Sequence, residues 1–190
     1  MFIRSERLFL RPGWPEDWEE FHALISERSV MENLAREVWP RTAEEIRDFI
    51  CRPRDKLLPH FFITVPSVNG ARLAGGIGLG RDGEDVEIGY WIANGLRGKG
   101  YATEAVRAVL NLARALGHRR LVAAHFADNP VSARVLTKAG FIRTGEQRQR
   151  YNLGRGASAP ADCFAIALDI CGADGGGDAG GDGKADMRAA

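Results

Sequence analysis

Long apolar runs, paired cysteines and a one-sided charge are all missing from this chain of 190 residues. No apolar stretch approaches the ~20 residues that a bilayer-spanning helix needs. The opening Met1-Phe2-Ile3-Arg4 passes straight into a strand-like pattern, so no secretory leader is expected. Cys51, Cys163 and Cys171 are odd in number and show no Cys-x-x-Cys spacing. That excludes a disulfide framework and a zinc site, and leaves reduced thiols as the default with no metal expected. No internal repeat is visible, and scattered arginines without a motif give no nucleic-acid reading. A length near that of one domain, with 45% hydrophobic residues, suffices for one core. The expectation is one soluble, cytoplasmic domain without membrane contact.

The net charge of +1 conceals an uneven distribution. Residues 1–50 hold 7 basic and 11 acidic residues, whereas residues 94–155 hold 12 basic and 3 acidic. A phosphate-bearing ligand is expected on the basic half and a cationic amine on the acidic half; ordinary solvated faces are the alternative for both.

Along the chain, residues 7–11 read as a strand, and Glu16 to Arg28 as a helix with Trp18, Phe21, Leu24 and Ile25 at helical spacing. Thr42 with Glu45 forms a capping-box start to a second helix ending near Ile50. His60–Val65, Arg72–Leu79 and Val86–Ile92 read as strands of an antiparallel meander, with Asp82-Gly83 turning between the last two. Tyr101 to Leu116 is the next helix, buried through Ala102, Val106, Val109, Leu110 and Ala113 and stopped by Gly117. Leu121–Phe126, a short helix Ser132–Ala139, and strands around Phe141–Gln147 and Cys163–Asp169 complete a mixed α/β domain. Residues 171–190 hold seven glycines and four aspartates with almost nothing large and apolar. Such a segment cannot offset its ordering entropy, so a domain over 1–170 and a disordered tail over 171–190 are expected.

The most informative stretch is Arg97-Gly98-Lys99-Gly100-Tyr101-Ala102-Thr103, between the strand Val86–Ile92 and a helix. Two glycines let an anion approach the main chain, and the first helical turn offers unpartnered N–H groups. A P-loop would need Ser or Thr after Lys99, where Gly100 stands, and a dinucleotide fingerprint would need Gly or Ala at Thr103. A pyrophosphate cradle of another kind remains.

That cradle, with Glu87-Ile88-Gly89-Tyr90-Trp91 before it and Asn129-Pro130-Val131-Ser132 through Gly140-Phe141 after it, resembles the GNAT N-acetyltransferases, most closely their RimJ/RimL-type branch. The resemblance spans roughly residues 4 to 170, from Ser5-Glu6-Arg7-Leu8-Phe9-Leu10-Arg11-Pro12 to Phe164-Ala165-Ile166-Ala167-Leu168. It implies a single-domain fold with a mixed, mostly antiparallel sheet flanked by helices, acetyl-CoA as cosubstrate, and transfer to a primary amine in a ternary complex. It implies a splayed strand at Tyr90, Trp91 and Ile92 whose main chain meets the pantetheine arm, and coenzyme contacts from Arg97 to Thr103, Asn129 and Ser132. The branch favours a protein N-terminal α-amine as acceptor. Polyamine, amino sugar and amino acid stay open, as do homodimerisation and, from another class, a coenzyme-binding sensor without turnover.

Amide formation from a thioester needs a base for the ammonium and an acid for the thiolate. Glu87 shares a strand face with Gly89 and Trp91 and is the proposed base, an ion pair with arginine being its structural alternative. His125 is the competing base, although the strand pattern leaves its face ambiguous, and Asp128 is a third candidate. Ser132 is the proposed acid, with helix capping the ordinary explanation for Asn129 and Ser132 together. Family members that carry a late carboxylate after the Gly-Phe motif differ from this chain, which reads Glu146-Gln147-Arg148-Gln149-Arg150-Tyr151. The acceptor is expected near Asn33 and Trp39, the latter equally readable as a core aromatic. The Gly-, Ala- and Ser-rich run Asn152 to Asp162 reads as a mobile connection rather than a substrate clamp.

Overall fold

Alternating apolar residues bring eight strands into one sheet in a computed structural model that describes residues 1–34, 42–68 and 70–168. The strands are β1 (Ile3–Arg4), β2 (Phe9–Arg11), β3 (His60–Ser67), β4 (Gly70–Asp82), β5 (Asp85–Ile92), β6 (Arg120–Phe126), β7 (Ile142–Asn152) and β8 (Ala157–Ala167). Their spatial order is β1-β2-β3-β4-β5-β6-β8-β7. All neighbours are antiparallel except β5 and β6, which are parallel because a helix crosses between them. The mixed, mainly antiparallel α/β architecture agrees with the sequence reading. Among the described residues no helix is long and apolar enough to cross a membrane.

The helices are α1 (Trp18–Ile25), α2 (Arg28–Met31), α3 (Ala43–Cys51), α4 (Tyr101–Ala115) and α5 (Pro130–Ala139). Thr42 accepts from the Glu45 amide at 3.1 Å while the Glu45 carboxylate accepts from the Thr42 amide, the expected capping box. α4 buries Ala105, Val106, Val109, Leu110 and Ala113 against Leu79, Ile88, Leu121 and Phe164. Burial of Val109 or Leu110 contributes about 2 kcal/mol each. A second core on the opposite face joins Phe21, Ile25, Val30 and Ile46 to Phe62 and Leu73. β3 serves both cores: Phe61, Ile63 and Val65 face α4, and Phe62 faces α1.

Two expectations need correction. The helix expected over Glu16–Arg28 is a short 3-10 turn at Pro15–Asp17, then α1 and, after a break, α2. Glu27 turns extended there, with ψ 125°, and this carries Val30 into the core beside Phe21. The run Asn152–Asp162 is not a loose connection but largely strand, because β7 and β8 pair from Ile142↔Ala165 to Asn152↔Ala157. Gly- and Ala-rich composition hid this hairpin. Trp39 and residues 171–190 lie outside the described residues.

Candidate active site

β5 and β6 meet at a single register position, Glu87↔Val122, and then part. β5 stays paired with β4 as far as Gly75↔Ile92, so its other edge, from Gly89 to Ile92, faces the opening. The expected splay at Tyr90, Trp91 and Ile92 is therefore present. A cleft of about 1470 Å³ runs along it, lined by Tyr90, Trp91, Ile92, Gly98, Asn129 and Ser132 among others.

At the end of the opening, Gly98 and Gly100 adopt φ of 78° and 82°, a conformation that side chains resist. Gly100 is the residue before α4, so the first-turn amides of Tyr101, Ala102 and Thr103 border the cleft. Arg7 braces this turn from below. Its Nη1 donates to the Lys99 carbonyl at 2.9 Å, its Nη2 pairs with Glu104 at 2.7 Å, and its guanidinium stacks 5.0 Å from the Tyr101 ring. Burial pushes the Glu104 carboxyl up, but bonds from the Arg7 amide, Ser5 and the Arg7 guanidinium outweigh it and hold it below its ordinary value. Arg97 folds back, donating to the Ile92 carbonyl at 3.1 Å and the Ser29 carbonyl at 3.2 Å. Lys99 does not line the cleft, and Arg97, which does, is turned onto those two carbonyls, so main chain forms much of this cradle.

Tyr90 reaches α5. Its hydroxyl lies 2.8 Å from Ser132 Oγ and 3.2 Å from the Ser132 carbonyl, to which it donates. Burial pushes the Tyr90 phenol up to about 12, the Ser132 hydrogen bond only partly opposing. Asn129 caps α5 by accepting from the Ser132 amide at 3.4 Å, and its Nδ2 donates to Asn33 Oδ1 at 2.9 Å. Two residues expected on different sides of the site, Asn33 and Asn129, thus touch.

On the opposite face of β5, Glu87 lines the cleft and accepts from Arg150 at 2.5 Å, with both side chains about seven-eighths buried. Arg150 also donates to Asp82 at 3.1 Å. The ion pair offered as Glu87's alternative is therefore real. His125 shares its face with Leu121 and Ala123, hence with the α4 core, and its ring lies 5.3 Å from Phe164. Its Nδ1 donates to the Phe126 carbonyl at 2.8 Å, since a carbonyl only accepts, which leaves Nε2 buried without a partner among the described residues. Asp128 is held below its ordinary value by a bidentate bond to Arg155 at 2.6 and 2.9 Å and does not line the cleft. The pair ties Asp128 to the hairpin tip that carries Arg155.

The hairpin tip, far from mobile, is fixed. Asn152 is fully buried and donates to the Met31 and Leu34 carbonyls at 2.9 and 2.7 Å while accepting from the Arg155 amide at 2.6 Å. Gly154 passes so close that an added Cβ would sit 2.7 Å from the Met31 carbonyl. Arg155, stacked 4.3 Å from the Phe126 ring, donates to the Glu32 carbonyl at 2.6 Å. The tip thus holds segment 31–34, which supplies Asn33 and Leu34 to the cleft. Residues 1–50 line the cleft without any of their described carboxylates, some of which are used elsewhere, Asp17 on Arg11 at 2.6 Å, Glu20 on the Leu73 amide at 2.9 Å and Glu32 on Arg28. The amine-attracting face expected from composition is absent among the described residues. Sequence reading missed the Tyr90 hydroxyl, Arg150, Asn152 and Arg7, whose partners lie far along the chain.

Residues 7–142 match the family model described as the acetyltransferase (GNAT) domain. The fold is similar to an acetyltransferase of the GNAT family from Bacillus anthracis, at 27% identity and TM-score 0.73 over 88% of this chain and 99% of that one. It is similar to RimL, a ribosomal L7/L12 alpha-N-protein acetyltransferase in complex with coenzyme A, at 21% identity and TM-score 0.73 over 90% and 99%. It is also similar to spermidine N-acetyltransferase from Vibrio cholerae in complex with CoA and spermine, at 18% identity and TM-score 0.72 over 86% and 97%.

Proposed function

The chain belongs to the GNAT acetyltransferase family, a family of acyltransferases, and from that premise we propose that it transfers the acetyl group of acetyl-CoA to a primary amine. The favoured acceptor is an α-amine, as on a protein or peptide N-terminus, attacking directly within a ternary complex. The observation that carries this reading is the parting of β5 and β6 into a cleft that ends at the left-handed Gly98 and Gly100 turn. The amides around Gly98, Gly100 and Thr103 suit a pyrophosphate, and Arg134 and Lys138 of α5 line the same cleft and suit further phosphate. The free edge of Tyr90, Trp91 and Ile92, with Asn129, suits the amide-bearing arm. The cosubstrate brings an activated thioester carbonyl.

The side chains then divide the proton work. Tyr90, kept protonated by burial and coupled to Ser132 Oγ, donates toward the departing thiolate. Glu87, on the opposite face of β5, receives the ammonium and takes its proton directly or through water, while Arg150 keeps the carboxylate oriented. His125 also lines the cleft but from the α4 face of the sheet, opposite to the Glu87 wall, which favours Glu87 as base. The test is thiol release from acetyl-CoA by the full chain over a panel of amines, with Glu87→Gln alongside and coenzyme binding followed by calorimetry. Turnover that drops in the variant while coenzyme binding persists supports the assignment. Tight coenzyme binding without turnover on any amine identifies a coenzyme sensor instead, and an absence of coenzyme binding overturns the reading of the cleft.

A further inference from the structure

The wall of the cleft on the Glu87 face is both apolar and cationic. Phe21, Phe49, Phe62, Trp91 and Ile50 line it, with Phe21 centred 5.1 Å from Phe62 and 6.2 Å from Trp91. Between the aromatics the floor is main chain: a Cβ added at Gly80 or Gly89 would meet nothing within 4 Å, so the cleft is open down to the sheet. Arg52, Arg54, Lys56 and Arg150 also line the cleft, and the carboxylates among its described lining residues are Asp55 and Glu87. Asp55 is already turned onto the Leu57 amide at 2.9 Å. His60 crosses the floor at Gly78, where partial burial and the nearby Arg54 hold it below its ordinary value. A polyamine needs several carboxylates in a row; the described lining offers Asp55 and Glu87, and Glu87 is paired with Arg150, which Asp82 also shares. An α-amino acid, by contrast, carries ammonium and carboxylate on one carbon, and the Glu87–Arg150 pair presents the opposite charges side by side.

Resting on the acetyltransfer reading above, we propose that the acceptor is an α-amine on an apolar body that also bears an anionic group close to the amine. Both a free hydrophobic α-amino acid and a peptide N-terminus with an acidic second residue have this chemistry. Glu87 receives the ammonium, the aromatic wall takes the apolar body, and the anion is drawn by the surrounding cations, with Arg52 and Lys56 at the rim.

The test uses the full chain with saturating acetyl-CoA and follows thiol release. The acceptors are phenylalanine, phenylalaninamide, peptides beginning Phe-Glu and Phe-Lys, and spermidine. Phenylalaninamide has the more readily deprotonated amine, so a preference for the acid reports binding rather than amine ionisation. The expected result is kcat/KM roughly tenfold higher for phenylalanine than for its amide, or for Phe-Glu than for Phe-Lys, with spermidine at background. Whichever pair shows the preference identifies the source. The double variant Arg52→Glu, Lys56→Glu should raise KM for the anionic acceptor and leave kcat nearly unchanged. The lack of a preference in both pairs, turnover of spermidine, or an unchanged KM in the double variant overturns the proposal. Calorimetry with the chain saturated in coenzyme A keeps the two readings apart. Selective binding of the acid without thiol release upholds the acceptor and sinks the transfer reaction; thiol release indifferent to acceptor charge does the reverse.

Discussion

The hydroxyls of Tyr90 and Ser132, carried by a strand and a helix 42 positions apart, lie 2.8 Å from each other beside the parting of the sheet. Tyr90→Phe should lower kcat about 100-fold with little change in KM, the size expected for a positioned proton donor. Ser132→Ala should do nearly the same, and the double variant should be little worse than either, because the pair acts as one unit. With the phenol pushed up to about 12, Tyr90 stays protonated through neutral and mildly basic pH, so the variants should share the wild-type pH profile there. Steady-state kinetics across pH checks all three.

Gly98→Ala forces a side chain into φ of 78° and should cost roughly 1–2 kcal/mol of stability. No neighbour obstructs the added methyl, so the strain is local to the turn. Coenzyme affinity should fall by more than the stability loss alone explains, since the amides that face the anion are re-aimed. Thermal denaturation with calorimetric titration separates the two effects.

Asn152→Ala removes two donors and an acceptor from a fully buried position and takes the side-chain donor from the Leu34 and Met31 carbonyls, the latter keeping among the described residues only the Leu34 amide at 3.4 Å. A loss of about 3 kcal/mol is expected in denaturant unfolding. Because those carbonyls belong to the segment that supplies Asn33 and Leu34 to the cleft, acceptor KM should rise while coenzyme affinity holds.

Arg143 and Gln147 hold the Asp162 carboxyl below its usual range, helped to a smaller degree by charge from Arg143 and His125. A depressed folded value means that its stabilisation is complete above the unfolded value of about 3.9 and is lost as pH falls through the folded value. Asp162→Asn should therefore lower Tm at neutral pH and shrink the drop in Tm on acidification. A protein in which the drop is unchanged would show that other carboxylates govern the acid limb.

α4 was legible because its apolar positions recur at helical spacing, and the cradle because two glycines break that pattern at its start. The Asn129–Ser132 spacing located Ser132, yet nothing near it marks the Tyr90 hydroxyl that meets it. Glu87 was chosen for its strand face, while its partner Arg150 lies 63 positions away among other arginines of β7 that look alike in the sequence. The hairpin tip was misread because its strands are held by main-chain pairing and by one buried amide rather than by apolar periodicity. Acidic composition over residues 1–50 misled for a related reason: a count of carboxylates does not say which face they occupy, and these serve caps and ion pairs.

The one-position meeting of β5 and β6 has a mechanical meaning as well. Five strands on one side and three on the other share almost no ladder at that seam, and the grip of Asn152 and Arg155 on segment 31–34 acts as a tie between the halves. Main-chain pairing is thinnest along that seam, which the α4 core spans, so the amides of β5 and β6 that border the parting should exchange faster than those of their neighbours. A long ligand laid into the parting supplies the missing rungs, so its binding should be felt as slowed exchange at those amides.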